Sequence, residues 1–349
     1  MSAREAFGVE FAGAAGFLNS PTYGLPPRFA LGELRDCLAR WEAGTMDARS
    51  FDEPVEAARA GYGALVGVPT GSVAMAGSVS AALGLVAAAI PDGSRGATLA
   101  GEFTSATFPF AAQSGRGVTL VEVGPDELLE TADDYDFVTL SLVQSATGAV
   151  VDAGKLRARV AGTGTTTIID VTQAAGWKSL DLGWADVTMA GAYKWLLAPR
   201  GTAFMSVGDR IAATMTPHAA NWYAGADPWD SIYGLPLRLA GDARRFDTSP
   251  AWFGVLGAGR SLPWLASLDG AAVEAHTVGL AARLRAELQL APHPSAIVSL
   301  PGAAVPTGAA DRLTRAGIRA SVRAGAVRVG FHLYNTEDDL DRLLDALNG

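Results

Sequence analysis

The chain of 349 residues contains only three lysines, Lys155, Lys178 and Lys194. Lys194 alone lies in an apolar sequence, after the strand-like run 187–190 and a turn of small residues. Another apolar strand-like run ends on the carboxylate of Asp170. Burial disfavours the ammonium form of a lysine, so a buried lysine can act as a nucleophile or as a base. The two residues therefore predict a reactive site in which a lysine amine lies beside a carboxylate.

This pairing is the one that pyridoxal phosphate (PLP) requires. The lysine forms a Schiff base with the cofactor, and the carboxylate pairs with the pyridinium nitrogen, which keeps the ring an electron acceptor. Each residue also has a simpler interpretation, since a single lysine after an apolar run is often at the surface. An aspartate at the end of a strand is often a turn residue. The interpretation as a PLP site depends on further motifs.

Those motifs resemble the class V aminotransferase family, which includes cysteine desulfurases, kynureninases and isopenicillin-N-epimerase-like proteins. The matching segments follow the family's order over most of the chain, at residues 16–28, 77–82, 101–109, 141–148, 170–173, 193–195 and 328–336. The resemblance implies an α/β protein of PLP-dependent fold type I. We expect a large domain with a mostly parallel sheet at residues 16–260. A smaller α+β domain is expected at residues 261–349, together with residues 1–15.

The resemblance assigns four residues to the cofactor ring. Lys194 carries the cofactor and later moves protons, and Asp170 pairs with the ring nitrogen. Gln173 donates a hydrogen bond to the ring hydroxyl oxygen. Phe103 corresponds to the residue that stacks on the ring, and a phenylalanine there cannot transfer protons.

The resemblance also implies a phosphate site. The backbone N–H groups of Gly77, Ser78 and Val79 begin a predicted helix, and such free groups bind anions. Tyr193 is expected to donate to the same phosphate. Ser249 corresponds to a hydroxyl that the family takes from a partner subunit, which implies a homodimer with its active site at the interface.

Substrate recognition is expected at the C-terminal motif. Arg328 matches the residue that holds a substrate carboxylate, because guanidinium and carboxylate fit each other bidentately. Asn19 and Ser145 correspond to further substrate contacts, although Ser145 replaces the asparagine usual in the family. Other candidates are Arg323, Tyr223 and Trp222.

Two departures from the family's sequence pattern exclude particular reactions. The segment 322–327, directly before Arg328, contains no cysteine, and Cys37 lies far away in the sequence, so persulfide formation by a desulfurase is not expected. Ala106 stands where kynureninases have an aspartate.

We expect an amino-acid-like substrate and carbon–sulfur lyase chemistry by β-elimination, which needs only removal of the Cα proton. An aminotransferase, an amino-acid epimerase and a non-catalytic protein of the same fold remain alternatives. An NAD-dependent enzyme would need a glycine fingerprint after a strand, which is absent.

Composition excludes other classes of function. Net charge is −9 and no Lys/Arg-rich run occurs, so nucleic-acid binding is not expected. One cysteine and four scattered histidines show no metal-ligand spacing. The longest apolar run, 81–90, is too short to cross a bilayer, and no signal-peptide pattern precedes it. A cytoplasmic enzyme without a metal is expected.

The pattern of apolar residues predicts the order of strands and helices along the chain. Apolar strand-like runs alternate with helical segments up to residue 207, which indicates a parallel sheet covered on both faces. Residues 217–250 predict a long irregular loop. Helices are predicted at 262–272, 273–288 and 309–316, with β-like runs at 296–300 and 326–331. A final helix is expected to use Thr336 as its N-cap.

Overall fold

A computed structural model describes residues 3–348. The strands that it contains are β1 (Arg4–Ala6), β2 (Val9–Phe11), β3 (Val73–Ala76), β4 (Arg95–Leu99), β5 (Thr119–Val123), β6 (Phe137–Ser141), β7 (Thr166–Asp170), β8 (Val187–Gly191), β9 (Ala203–Val207), β10 (Ile297–Leu300), β11 (Ser321–Arg323) and β12 (Ala326–Gly330). The helices are α1 (Arg28–Glu42), α2 (Asp52–Val66), α3 (Val79–Ala89), α4 (Thr104–Ala111), α5 (Pro125–Thr131), α6 (Ala153–Val160), α7 (Asp209–Ala212), α8 (Trp252–Ser267), α9 (Gly270–Glu287), α10 (Ala309–Arg315) and α11 (Glu337–Asn348).

A seven-stranded sheet in the order β3-β9-β8-β7-β6-β4-β5 forms the centre of the molecule. The pairs from β5 through β4, β6 and β7 to β8 are parallel, whereas β9 runs antiparallel to β8 and to β3. Every residue of β6, β7, β8 and β9 is buried, as expected for strands covered by helices on both faces. The predicted α/β class with a mostly parallel sheet is confirmed.

A smaller antiparallel sheet, in the order β10-β12-β11, follows in sequence. Val327 and Val329 of β12 pack in an apolar cluster with residues of α9, α10 and α11. Side chains alternate across a strand, so Arg328 lies on the opposite face from these two valines. That face is turned towards the large sheet, where Arg328 reaches Ser145.

Helix α8 runs without interruption through residue 260, where the sequence pattern placed a domain boundary. It packs closely on α2, because a Cβ atom added at Gly61 would lie 2.8 Å from Leu262, and one at Gly259 would lie 2.5 Å from the Pro54 oxygen. The proposed division into residues 16–260 and 261–349 remains a prediction. The helix itself joins the two segments.

Some element boundaries differ from the predicted ones. Helix α8 begins at Trp252 and not at 262, since its start lies in a glycine-rich segment with little helical signal. Asp269 then caps α9 by accepting from the Ala271 N–H. Thr336 occupies the predicted N-cap position of α11, since its carbonyl accepts the N–H groups of Asp339 and Leu340, but its hydroxyl makes no capping hydrogen bond. The Asp339 carboxylate accepts the Thr336 N–H instead.

Strands β1, β2 and β11, each three residues long, were not predicted, because such short runs carry almost no periodicity. Residues 217–250 form the expected irregular excursion with three short 3-10 turns. Within residues 3–348, no helix combines the length and the apolar character needed to cross a bilayer.

Candidate active site

The candidate site lies at the carboxyl ends of the central parallel strands, where open α/β sheets bind ligands. Asp170 is the last residue of β7, and it is in register with Ser141, the last residue of β6. Lys194 follows shortly after Gly191, at the end of the neighbouring strand β8. Sheet order therefore brings the amine and the carboxylate to one edge.

A cleft of about 740 Å³, including its open mouth, occupies this edge. Nine of the residues predicted from the sequence line it, namely Gly77, Ser78, Val79, Phe103, Ser145, Asp170, Gln173, Tyr193 and Lys194. Asn19, Ser249 and Arg328 do not line the cleft directly. Arg328 and Asn19 reach it through other side chains, whereas Ser249 lines a smaller neighbouring pocket together with Gly77, Gly201 and Thr202.

Lys194 is 6% exposed, and its Nζ has no hydrogen-bond acceptor among residues 3–348. The Nζ lies 5.3 Å from the ring centroid of Phe103 and 5.6 Å from that of Tyr193. Burial lowers the pKa of Lys194 to about 8, although the charge of Asp170 acts in the opposite direction. A substantial fraction of the amine is therefore neutral near physiological pH.

Asp170 is buried and held by its neighbour Thr172. Its Oδ1 accepts the Thr172 N–H at 2.7 Å, while the Thr172 hydroxyl accepts the Gly191 N–H at 3.0 Å. Burial raises the pKa of Asp170, against the lowering effect of the Thr172 bonds and of the Lys194 charge. Thr172, which was not predicted from the sequence, ties the ends of β7 and β8 together.

Gln173 uses its whole amide group within the protein. Its Nε2 donates to the Pro21 carbonyl and to the Ser145 hydroxyl, each at 3.0 Å. Its Oε1 accepts from Trp195 Nε1 at 2.7 Å. The predicted hydrogen bond from Gln173 to a cofactor would require one of the two Nε2 bonds to exchange, and it stays a prediction.

Arg328 is a buried cation without a carboxylate partner among the described residues. Its guanidinium donates to the carbonyl and hydroxyl oxygens of Ser145, and to the hydroxyls of Thr22 and Ser321. Thr22 in turn donates to Asn19 Oδ1 at 2.7 Å. Burial, with a smaller effect of Arg323, lowers the pKa of Arg328 to about 10. The side chain remains charged, and its hydrogen bonds within residues 3–348 go to neutral oxygens.

The start of α3 forms the opposite end of the cleft. Ser78 caps this helix, and its Oγ accepts the Ala81 N–H at 3.2 Å. The N–H groups of Gly77 and Ser78 have no acceptor within residues 3–348. A Cβ at Gly77 would meet only the Gly201 oxygen, at 3.9 Å, so the approach to these N–H groups is open.

Arg200 lines the same end of the cleft and was not predicted from the sequence. Its guanidinium lies 5.2 Å from the Tyr193 ring centroid, and the part of the chain that the structure describes offers it no acidic partner. The one available signal was its position just after the lysine motif, in Pro199-Arg200-Gly201. This arginine adds a positive charge beside the open N–H groups of α3.

Glu102 is a second residue that the motifs did not reveal. Its Oε1 accepts from the Phe103 N–H and the Ser141 hydroxyl, and its Oε2 accepts from the Ser141 N–H, all at 2.7 Å. Burial raises the pKa of this carboxyl group. Glu102 therefore fixes Phe103, which keeps 45% of its surface exposed, against the end of β6.

The donor set fits PLP. An unpartnered amine and a buried carboxylate lie at the centre of the cleft, and an exposed aromatic ring stands beside the amine. Open N–H groups and the guanidinium of Arg200 lie at one end, where a phosphate would find both hydrogen bonds and positive charge.

Comparison with known proteins identifies the family. The family model for class V aminotransferases matches residues 120–307. The chain therefore belongs to the class V aminotransferases, which are PLP-dependent enzymes. Of the described residues, no cluster of three or more His, Cys, Asp or Glu side chains is arranged to hold a metal.

Two relatives illustrate the range of the family. "Uncharacterized aminotransferase YcbU" of Bacillus subtilis (strain 168) is 27% identical over 319 residues, which cover 84% of this chain and 83% of the relative. Isopenicillin N epimerase of Amycolatopsis lactamdurans is 29% identical over 256 residues, covering 64% and 63% of the two chains.

Solved structures confirm PLP-dependent fold type I. The cysteine desulfurase CsdA of Escherichia coli matches with a TM-score of 0.81 at 19% identity, over 96% of this chain and 94% of its own. The cystine C-S lyase C-DES, in a complex with cysteine persulfide, matches with a TM-score of 0.82 at 16% identity, over 95% and 97%. At these identities the match concerns the fold.

Proposed function

We propose that the protein binds PLP through Lys194 and acts as a carbon–sulfur lyase on an amino-acid substrate by β-elimination. The observation that carries the proposal is the cleft itself, in which a buried, unpartnered amine lies beside a buried carboxylate. Burial lowers the pKa of Lys194 to about 8, so this amine can accept and return a proton near neutral pH. β-Elimination needs one proton carrier of this kind.

Bound PLP supplies an electron sink for the pair of electrons that is released at the substrate Cα. Lys194 accepts the Cα proton, and the sulfur leaves Cβ with the bonding electrons of the C–S bond. The same ammonium group then returns a proton to the thiolate. Asp170 would hold the proton at the ring nitrogen of bound PLP, and Glu102 holds Phe103 in the cleft wall near Lys194.

Arg328 is the proposed anchor for the substrate carboxylate. A guanidinium that is buried among neutral oxygens gains most from an anionic ligand, because none of the described residues offers a carboxylate that offsets its charge. Ser145 and Asn19, which contact Arg328 directly or through Thr22, hold it in place. The bound carboxylate would replace one or more of these neutral contacts.

The phosphate group of PLP is proposed to bind at the N-terminus of helix α3. The N–H groups of Gly77, Ser78 and Val79 face it, with Tyr193 and Arg200 as further donors. Ser249 of a partner subunit is proposed to complete the site in a homodimer. In this chain Ser249 lines a small pocket beside its own Gly77, so the homodimer is proposed from the family resemblance alone.

Transamination is the second candidate, since a relative that covers most of the chain is named an aminotransferase. Transamination also needs only one base. Epimerisation is favoured by the two relatives named isopenicillin N epimerase, and it would return the Cα proton on the opposite face. Phe103 on the cleft wall cannot deliver that proton.

Two measurements test the proposal. Sodium borohydride reduction followed by peptide mass spectrometry should find the cofactor on Lys194, and an adduct on Lys155 or Lys178 would contradict the assignment. Incubation with cysteine conjugates should yield pyruvate, ammonia and thiol. Turnover that requires an added keto acid would indicate transamination, whereas solvent deuterium at Cα with racemisation would indicate epimerisation.

A further inference from the structure

Arg323 lies on the same face of the small sheet as the proposed carboxylate anchor. In the β11–β12 hairpin, Ser321 is opposite Arg328 and Arg323 is opposite Ala326. Directly opposed residues of an antiparallel pair share a face, and so do residues two apart on one strand. Arg323 and Arg328 are therefore diagonal neighbours, and Arg323 lies nearer to the hairpin turn.

The two arginines differ in burial. Arg328 is fully buried, whereas Arg323 is exposed and donates only to the carbonyl oxygen of its neighbour Val322 at 2.8 Å. Neither has an acidic partner within residues 3–348. The charge of Arg323 also lowers the pKa values of Lys194 and of Arg328, which indicates that it acts on the cleft.

Like charges held this close together are unfavourable unless an anion lies between or beside them. A single α-carboxylate satisfies Arg328 alone, because that guanidinium is the buried one. Arg323, whose one hydrogen bond among the described residues goes to the Val322 carbonyl, then remains available for a second negative group of the substrate.

We propose that Arg323 is a specificity residue that binds a second anionic group on the side chain of the substrate. The substrate class is then an amino acid with a carboxylate or similar anion at its far end. For a carbon–sulfur lyase, this means a cysteine conjugate whose sulfur substituent is acidic. The inference rests on the proposed function, since it places the substrate by Lys194 and Arg328.

A matched pair of ligands tests the inference. S-carboxymethyl-L-cysteine and S-carbamoylmethyl-L-cysteine have nearly the same shape and differ in one negative charge. Titration of the PLP-loaded protein, followed by the change in cofactor absorbance, gives Kd for each ligand. The wild type should prefer the acid by about 3- to 10-fold, as expected for a partly exposed charge pair. High salt should reduce this preference.

Variants assign the preference to one residue. Arg323→Gln should bring the Kd ratio close to one while the Kd of the carbamoyl ligand stays nearly unchanged. Arg323→Lys should restore part of the ratio. Arg315→Gln removes an exposed arginine at the end of α10 and should leave the ratio as in the wild type.

The remaining outcomes overturn the inference. Equal affinity of the wild type for both ligands would do so, as would a preference that persists in Arg323→Gln. Equal weakening of both ligands in that variant would show that Arg323 serves the α-carboxylate. A wild type without a borohydride-stable adduct on Lys194 would overturn the proposed function too, which distinguishes the two failures.

Discussion

The two sides of the cleft are built in different ways. The proposed cofactor side lies on the ends of β6, β7 and β8, where Asp170 and Lys194 are buried and Lys194 has no hydrogen-bond partner within residues 3–348. The proposed substrate side lies on β12, where Arg328 is buried but already bound to neutral oxygens. The first side is preorganised by the sheet, whereas the second must exchange hydrogen bonds when a ligand arrives. Substitutions should therefore be more severe on the first side.

The largest effect is expected for Lys194→Ala. It removes both the attachment point and the proton carrier, so turnover should fall by about 10²- to 10⁴-fold or more. Lys178→Ala is the control, because Lys178 forms an ion pair with Glu274 at 2.8 Å. If Lys194→Ala kept a tenth of the wild-type rate in a steady-state assay, Lys194 would not be the attachment point and proton carrier, and the two sides would not differ as expected.

On the substrate side, Arg328→Lys keeps the charge but loses the bidentate geometry. We expect kcat/KM to fall by an amount equivalent to about 2–4 kcal/mol, mainly through the loss of a buried carboxylate contact. Plain amines, which have no carboxylate, should show no further loss in the variant. Equal loss for amino acids and amines would mean that Arg328 supports the fold and does not bind substrate.

A pH experiment sharpens the contrast, because the cofactor side depends on a neutral amine. With a pKa of about 8, Lys194 becomes neutral as the pH rises, so the rate of PLP attachment to cofactor-free protein should increase and level off above about pH 8. Asp170→Asn removes a charge that raises this pKa, so the midpoint should move to lower pH. Asp134→Asn, at an exposed position, is the control. A midpoint near 10 would contradict burial of the amine.

The last prediction concerns protein stability and His332, which lies between the two sides. Its Nε2 lies 2.9 Å from the carbonyl oxygen of Trp195, next to Lys194, and burial lowers its pKa to about 3. Between the unfolded pKa near 6.5 and this value, only the unfolded chain binds the proton, so stability falls as the pH falls. The slope that His332 contributes is about 1.4 kcal/mol per pH unit.

Replacing His332 tests that slope. Urea unfolding of His332→Gln between pH 4 and 7 should show a weaker loss of stability towards acid than the wild type. Equal slopes for the two proteins would mean that His332 is protonated in the folded state or that its environment opens at low pH.

Local sequence motifs predicted most of the cofactor side. A strand that ends on Asp170 and a small-residue turn before Lys194 are contiguous patterns, and sheet order then brings the strand ends together. Thr172, Glu102 and Arg200 were not predicted. Their roles depend on contacts with strands or loops that are distant in sequence, and nothing in their immediate neighbours indicates those contacts.

The sequence alone determined the α/β fold class, because hydrophobic periodicity is a local property. It also indicated the family and the candidate residues, because the resemblance is carried by contiguous motifs. Only the tertiary structure decided how these residues are partnered. In the tertiary structure, Gln173 Nε2 donates to Pro21 and to Ser145, and Arg328 is surrounded by neutral oxygens. Arg323 lies on the same face of the small sheet as Arg328. A hydrogen bond or a buried contact depends on two groups at once. Strand register and packing bring such groups together from distant parts of the chain, so the sequence around one residue does not reveal its partner.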